Sequence, residues 1–265
     1  DGYHLLQTAF QFIDLSDELR FWKRPAGVIE RVEEIPGVPA DLDLSVRAAR
    51  ALAAAASKDV GVAIEVRKCL PIGGGVGGGS SNAATTLVAL NRLWGLDLPS
   101  DALARLGLSL GADVPVFVHG SAAWAEGVGE RLTPVDFPEP VFLLIQPGVS
   151  VSTAEVFGAA ELTRDSPVLT IRGFLTMGGR NDCEAVVRRR FPEVAEALDW
   201  LGSHAAARLT GTGSCVFAAM PDEESARAAL EALPRRWKGY VVRGLNRSPL
   251  VARSRLEQDR SGSGR

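Results

Sequence analysis

Six of the chain's 28 glycines fall within positions 73–79, inside the run PIGGGVGGGSSNAATTLVAL at residues 71–90. Glycine loses more backbone entropy on folding than any other residue, so a cluster this dense needs a reason. The apolar positions that follow, Ala83, Leu87, Leu90 and Trp94, step by four, three and four, which predicts a helix with one buried face. Bare backbone leading into a helix offers a ligand the unpaired N–H groups and positive dipole end of the first turn, with Ser80 or Ser81 as the expected cap. That is chemistry for an anion, best a di- or triphosphate. Each such contact is worth about 0.3–1 kcal/mol, so several N–H groups must converge. A flexible turn would explain one or two glycines; six in seven positions before a helix favour phosphate.

The type of phosphate loop is narrower. A Walker A loop needs Lys then Ser or Thr after its last glycine, and Gly79 is followed by Ser80 and Ser81. Gly73, Gly75 and Gly78 satisfy G-x-G-x-x-G, but in a run this rich the match is nearly automatic. A dinucleotide site also expects a buried strand running straight into the loop and an acid ending the next strand. Pro71 interrupts the approach, and Asp97 follows a helix. A dinucleotide-dependent oxidoreductase is therefore the weaker alternative.

In GADVPVFVHG, residues 111–120, Asp113 is one carboxylate among Ala112, Val114, Pro115 and Val116. A capping aspartate satisfied by backbone N–H groups is an equal reading of that stretch alone. Phosphoryl transfer to an alcohol, however, wants one carboxylate near the hydroxyl, and apolar neighbours can hold it firmly. TGTGSCVF, residues 210–217, is a second, smaller glycine cluster, either a hairpin turn or a partner closing over phosphate oxygens. Tyr3 and His4 can stack on and hydrogen-bond a heterocycle; equally, they can be a frayed end.

The elements that must position these groups read as a mixture. Strands are predicted at residues 6–19, 60–67, 114–118, 122–125, 141–146, 215–220 and 239–243, and helices at 46–56, 83–94, 103–110, 182–190, 193–204 and 223–233, with another starting at 153–157. Residues 25–42, with Pro25, Gly27, Pro36, Gly37 and Pro39, read as a turn-rich connection. Strands and helices do not strictly alternate, which favours an α+β fold over a doubly wound sheet. Pro134, Pro138 and Pro140 crowd a boundary, giving lobes at residues 1–135 and 136–252, and a polar tail at 253–265 that is expected to be disordered.

Composition limits the function. The 29 basic and 32 acidic residues leave a net charge of −3 with no basic block, which argues against nucleic acid as a partner. Cys69, Cys183 and Cys215 are odd in number and form no C-x-x-C, so a disulfide framework and a zinc site are not expected and a reducing cytoplasm fits. No apolar run is long enough to span a bilayer, so no membrane role is expected. His119 and His204 read as surface or hydrogen-bonded side chains.

DGYHLLQTAFQF (1–12), LPIGGGVGGGSSNAATTLVALNRLW (70–94), LGADVPVFVHGSAAWAEGVGE (110–130), PGVSVSTAEVF (147–157), NDCE (181–184) and RLTGTGSCVFA (208–218) occur in this order in one family. The chain resembles, from Asp1 to about Leu250, the bacterial 4-diphosphocytidyl-2-C-methyl-D-erythritol kinases of the GHMP kinase superfamily. The resemblance implies a two-lobed α+β fold with the active site in the cleft between lobes. It implies ATP-dependent phosphorylation of the 2-hydroxyl of a cytidine diphosphate-linked methylerythritol, a step of the non-mevalonate route to isoprenoid precursors, by a monomer or homodimer.

It also implies roles for residues. Pro71, Ile72, Gly73, Gly74, Gly75, Val76, Gly77, Gly78, Gly79, Ser80 and Ser81 match the ATP-phosphate loop, and Asp113 matches the catalytic aspartate. Tyr3, His4 and Phe157 match positions around the cytosine, with Thr153 on the same wall. Gly211, Thr212 and Gly213 lie in the third superfamily motif, near the reacting phosphates. A lysine-free loop must neutralise phosphate charge through the helix dipole, backbone N–H groups and Mg²⁺.

The sequence departs from the family in a few places. Relatives carry a further lysine in a first strand upstream of DGYH, and the chain is expected to be a fragment without it. That would leave an unpaired sheet edge and lower the rate on the order of a hundred- to a thousand-fold, or leave a protein that binds nucleotide without turning it over. None of the four lysines, Lys23, Lys58, Lys68 and Lys238, matches it, and Lys68 is expected to face away from the loop. Asp43 stands where relatives usually carry Asn on the adenosine side, and Val76 replaces Leu.

Overall fold

The structure, a computed structural model, describes residues 6–251 except 57, together with residue 253. Tyr3, His4 and the tail from Ser254 lie outside the described residues. In chain order the elements are β1 (Thr8–Phe10), β2 (Phe12–Ile13), β3 (Glu18–Lys23), β4 (Ile29–Arg31), α1 (Leu44–Ala56), β5 (Val62–Arg67), α2 (Gly78–Leu93), α3 (Ser100–Leu108), α4 (Val114–His119), β6 (Ala123–Glu126), β7 (Arg131–Pro134) and β8 (Val141–Gln146). They continue with α5 (Thr153–Phe157), α6 (Ile171–Met177), α7 (Cys183–Arg190), α8 (Pro192–Gly202), β9 (Arg208–Leu209), β10 (Val216–Met220), α9 (Glu223–Glu231) and β11 (Lys238–Leu245).

The strands form three sheets, ordered β3-β5-β4, β1-β6-β7 and β2-β11-β8-β10-β9. In the first, β3 runs antiparallel and β4 parallel to β5. Val62, Ile64 and Val66 of β5 pack against Ala48, Ala49 and Leu52 of α1 and Ala83, Ala84, Leu87 and Leu90 of α2. Burying side chains such as Leu52, Ile64, Leu87 and Leu90 contributes about 1.5–3 kcal/mol each, which anchors α2 and hence the loop before it. A second core joins Leu143 and Ile145 of β8 to Val186, Val187, Val194, Leu198 and Leu201 of α7 and α8. The α+β expectation holds.

The amino-terminal segment differs from the single strand expected at 6–19. It serves all three sheets: β1 pairs with β6, β2 with β11, and β3 with β5. Its alternation is real, but each stretch finds a different partner, so it breaks at Gln11 and again before Glu18. Residues 114–118 are helical, not extended. Pro115 lies in the first turn of α4, where its missing N–H costs nothing, and Gly120 ends the helix in the left-handed region. An apolar run of five cannot distinguish the two by periodicity. Four elements escaped the sequence pattern: the short strands β7 and β9, together with β4 and α6. β4 lies within the turn-rich stretch, and α6 buries none of its residues fully, presenting Phe174 to Trp124 and Phe137 with ring centroids 5.1 and 6.1 Å away.

Candidate active site

The glycine run is a tight loop followed by a helix. Gly73, Gly75 and Gly77 have φ of 66°, 72° and 70°, a region that a side chain makes costly. Gly77 caps α2 with no side-chain hydrogen bond, and the helix starts at Gly78. The expected serine cap is thereby corrected: Ser80 and Ser81 lie inside the first turn, because left-handed glycine ends the loop earlier. The first helical bond runs from Ser81 N–H to the Gly77 carbonyl at 2.8 Å. The N–H groups of Gly78, Gly79 and Ser80 thus precede the helix's own ladder and are presented at its positive end.

The second glycine cluster packs directly on the first. Cys215 N–H donates to the Gly74 carbonyl at 3.0 Å, and the Thr210 hydroxyl to the Gly75 carbonyl at 3.0 Å. A methyl group on Gly75 would lie 2.5 Å from the Thr210 carbonyl oxygen and 2.6 Å from that of Gly213. Asn181 braces this loop: its Nδ2 donates to the carbonyls of Leu209 (3.0 Å) and Gly211 (2.7 Å), and its Oδ1 accepts from Cys183 N–H at 3.0 Å. Buried Thr212 shares a 2.9 Å hydroxyl contact with Thr153, at the start of α5. Phe157, one turn along α5, is half-buried at the edge of the second core. Cys215 is buried beneath the loop, and burial pushes its thiol up to about 12, so it is inert packing.

Asp113 stands at the start of α4 and makes no capping bond. It is half-buried, and loss of solvent pushes its carboxyl above the ordinary range, with no described ion pair or hydrogen bond to offset it. Its helix abuts the loop. The Phe117 ring sits where a methyl on Gly77 would come within 2.8 Å, and a methyl on Gly111 would lie 3.8 Å from Ser80 Oγ. The loop, the second glycine cluster and Asp113's helix therefore share one neighbourhood.

Two features around the loop were not legible in the sequence. Lys68 lies past the end of β5, so strand alternation no longer sets its direction. It turns back to pair with Asp17, and its Nζ lies 3.5 Å from where a methyl on Gly78 would be. The expectation that Lys68 faces away is thus corrected. Asp17 also accepts from Cys69 N–H (2.8 Å), Leu70 N–H (2.8 Å) and Asn82 Nδ2 (2.9 Å). Burial alone would raise its carboxyl, but the bonds from Lys68, Leu70 and Cys69 outweigh that and hold it below the ordinary range.

Asp43 pairs with Arg31 at 2.8 Å, both side chains less than 10% exposed, and accepts from Ser45 N–H at 2.8 Å. Leu44 beside it packs 3.3 Å from a methyl position on Gly79.

Among the described residues no group of three or more His, Cys, Asp or Glu side chains converges to hold a metal ion. Mg²⁺ does not require such a cage, since it keeps waters and usually takes one or two protein oxygens with substrate phosphates. The sheet around β5 is short and has an antiparallel neighbour, which removes the dinucleotide-fold alternative. No helix of the described residues is long and apolar enough to cross a membrane.

Comparison with known proteins gives concordant matches. Residues 43–121 match the family described as "GHMP kinases N terminal domain", and residues 168–239 that described as "GHMP kinases C terminal". The 4-diphosphocytidyl-2-C-methyl-D-erythritol kinase of Halorhodospira halophila is 57% identical over 256 residues, covering 94% of this chain and 88% of that one. The protein of the same name from Alkalilimnicola ehrlichii is 57% identical over 259 residues, covering 98% and 89%. A crystal structure of 4-(cytidine 5'-diphospho)-2C-methyl-D-erythritol kinase superposes with a TM-score of 0.78 at 32% identity, covering 92% and 91%. A mevalonate kinase structure, at 16% identity and a TM-score of 0.69, shares the fold.

Proposed function

The chain belongs to the 4-diphosphocytidyl-2-C-methyl-D-erythritol kinases of the GHMP kinase family, and from that premise we propose how its residues transfer the phosphoryl group. The substrates are ATP and 4-(cytidine 5'-diphospho)-2-C-methyl-D-erythritol, and the acceptor is the 2-hydroxyl. The polyphosphate lies on residues 71–81, held by the N–H groups at the start of α2. Asp113 takes the hydroxyl proton as the oxygen attacks the γ-phosphorus. One oxygen–phosphorus bond forms, the bond to the β-phosphate oxygen breaks, and ADP leaves. The raised carboxyl of Asp113 supports this role, because a base nearer the working pH shares the proton more evenly with an alcohol.

The lobes divide near residues 135–139, with the two separate cores in support. Thr153, Phe157 and residues 211–213 form the wall for the cytidine-bearing substrate, to which Tyr3 and His4 are assigned by resemblance alone. The Ser80 hydroxyl and the Asp113 carboxylate are the protein oxygens that would be available to hold Mg²⁺ together with nucleotide phosphates. When bound it neutralises phosphate charge. The reaction is placed in the cytoplasm, in a monomer or homodimer.

The observation that carries this reading is the contact of two glycine loops beside a carboxylate with no partner among the described residues. The test is ADP release that requires both substrates, with phosphorus NMR locating the new phosphate on the 2-hydroxyl. Release without the alcohol, or a phosphate elsewhere, overturns it.

A further inference from the structure

Asp17 immediately precedes β3, and its side chain has 0% exposure. A buried carboxylate is costly unless its lone pairs are met. Here Oδ1 accepts from the N–H groups of Cys69 and Leu70, and Oδ2 from Asn82 Nδ2 and the Lys68 ammonium. The first two lie just before the glycine loop and Asn82 just after it. One carboxylate therefore ties both ends of the phosphate loop together.

The Lys68 partnership is harder to explain as stability alone. Its side chain is 20% exposed, and its ammonium sits by Gly78, the first residue of α2, where the helix dipole is positive. A cation there is repelled by the dipole. The placement makes sense where a polyanion is to share it. Lysine on a flexible stem would otherwise swing into solvent, and Asp17 prevents that.

We propose that Asp17 is a positioning residue for the nucleotide: it fixes Lys68 beside the amino end of α2, where the ammonium meets a polyphosphate lying on the loop. This rests on assigning the loop to ATP. Asp17 itself touches no reacting atom.

The test is a double-mutant cycle on this chain with steady-state kinetics in both substrates. Lys68→Met is expected to raise KM for ATP about tenfold, leaving KM for the alcohol unchanged. Asp17→Asn keeps an acceptor for the Cys69 and Leu70 N–H groups but turns an amide toward two donors, and a similar rise is expected. Because Asp17 acts through Lys68, the double variant should be little worse than either single one. A purely structural Asp17 would instead lower the melting temperature and kcat of the preparation, with KM for ATP unmoved, and that result overturns the proposal. So do fully additive effects. Should Asp17→Asn fail to fold, Lys68→Met decides, since an unchanged KM for ATP leaves Asp17 nothing to position. A parent enzyme with no saturable ATP dependence overturns the loop assignment itself, whereas normal parent kinetics with flat variants overturns only the role of Asp17.

Discussion

The Thr210 hydroxyl donates to the Gly75 carbonyl at 3.0 Å, joining loops 135 residues apart in the chain. At Gly75 the two loops wall each other directly, backbone against backbone. The arrangement predicts which glycines tolerate a methyl group. Gly75→Ala places a carbon 2.5 Å from one backbone oxygen and 2.6 Å from another, neither of which can swing away. Gly95 has a similar positive φ of 60° but nothing within 4 Å. Gly95→Ala should cost about 1–2 kcal/mol in urea unfolding and leave kinetics unchanged. Gly75→Ala should cost more and abolish ATP saturation. Equal behaviour of the two would contradict the packed-loop geometry.

Asp113→Asn should lower kcat on the order of 10²–10⁴-fold, with KM for ATP little changed. The same variant should be more stable at neutral pH. The native carboxyl titrates above the unfolded value of 3.8, so between the two the native state holds more protons and stability falls as pH rises. Above the raised value the penalty is complete. Thermal melts should therefore favour Asp113→Asn at pH 7, with the gap closing as pH falls toward 3.8. A parent more stable than the variant at pH 7 would count against an unpaired, desolvated Asp113.

Asn181→Asp tests the brace under the second loop. The carboxylate keeps the Cys183 N–H but cannot donate to the Leu209 and Gly211 carbonyls, and it sets a charge against both. A loss of about 1–3 kcal/mol is expected in denaturant unfolding, with reduced turnover in the folded fraction. Asn181→Asp indistinguishable from the parent would mean the brace is dispensable.

Arg31 and Asp43 form a buried pair, and breaking one partner strands the other's charge. Arg31→Leu alone should cost about 3–5 kcal/mol. Arg31→Leu with Asp43→Asn removes both charges while keeping an acceptor for Ser45 N–H, and should recover most of that loss. Failure of the double variant to recover would place the cost in packing of the guanidinium stem.

Spacing and residue type alone were enough to locate the glycine loop, the helix behind it and the apolar setting of Asp113, while the family entered through the resemblance of several segments in a fixed order. These are local properties: glycine density, a 3.6-residue apolar period, and a carboxylate among hydrophobic neighbours. Tertiary structure decided the rest. It split one alternating segment among three sheets, because each stretch pairs with a different distant strand. It turned Lys68 toward α2, because the partner that holds it lies 51 residues away. It made residues 114–119 helical, because neighbouring helices supply the burial that five apolar residues cannot specify by themselves. A sequence records what each residue can do. Which distant group satisfies a buried charge or an open N–H is fixed only when folding removes water from both.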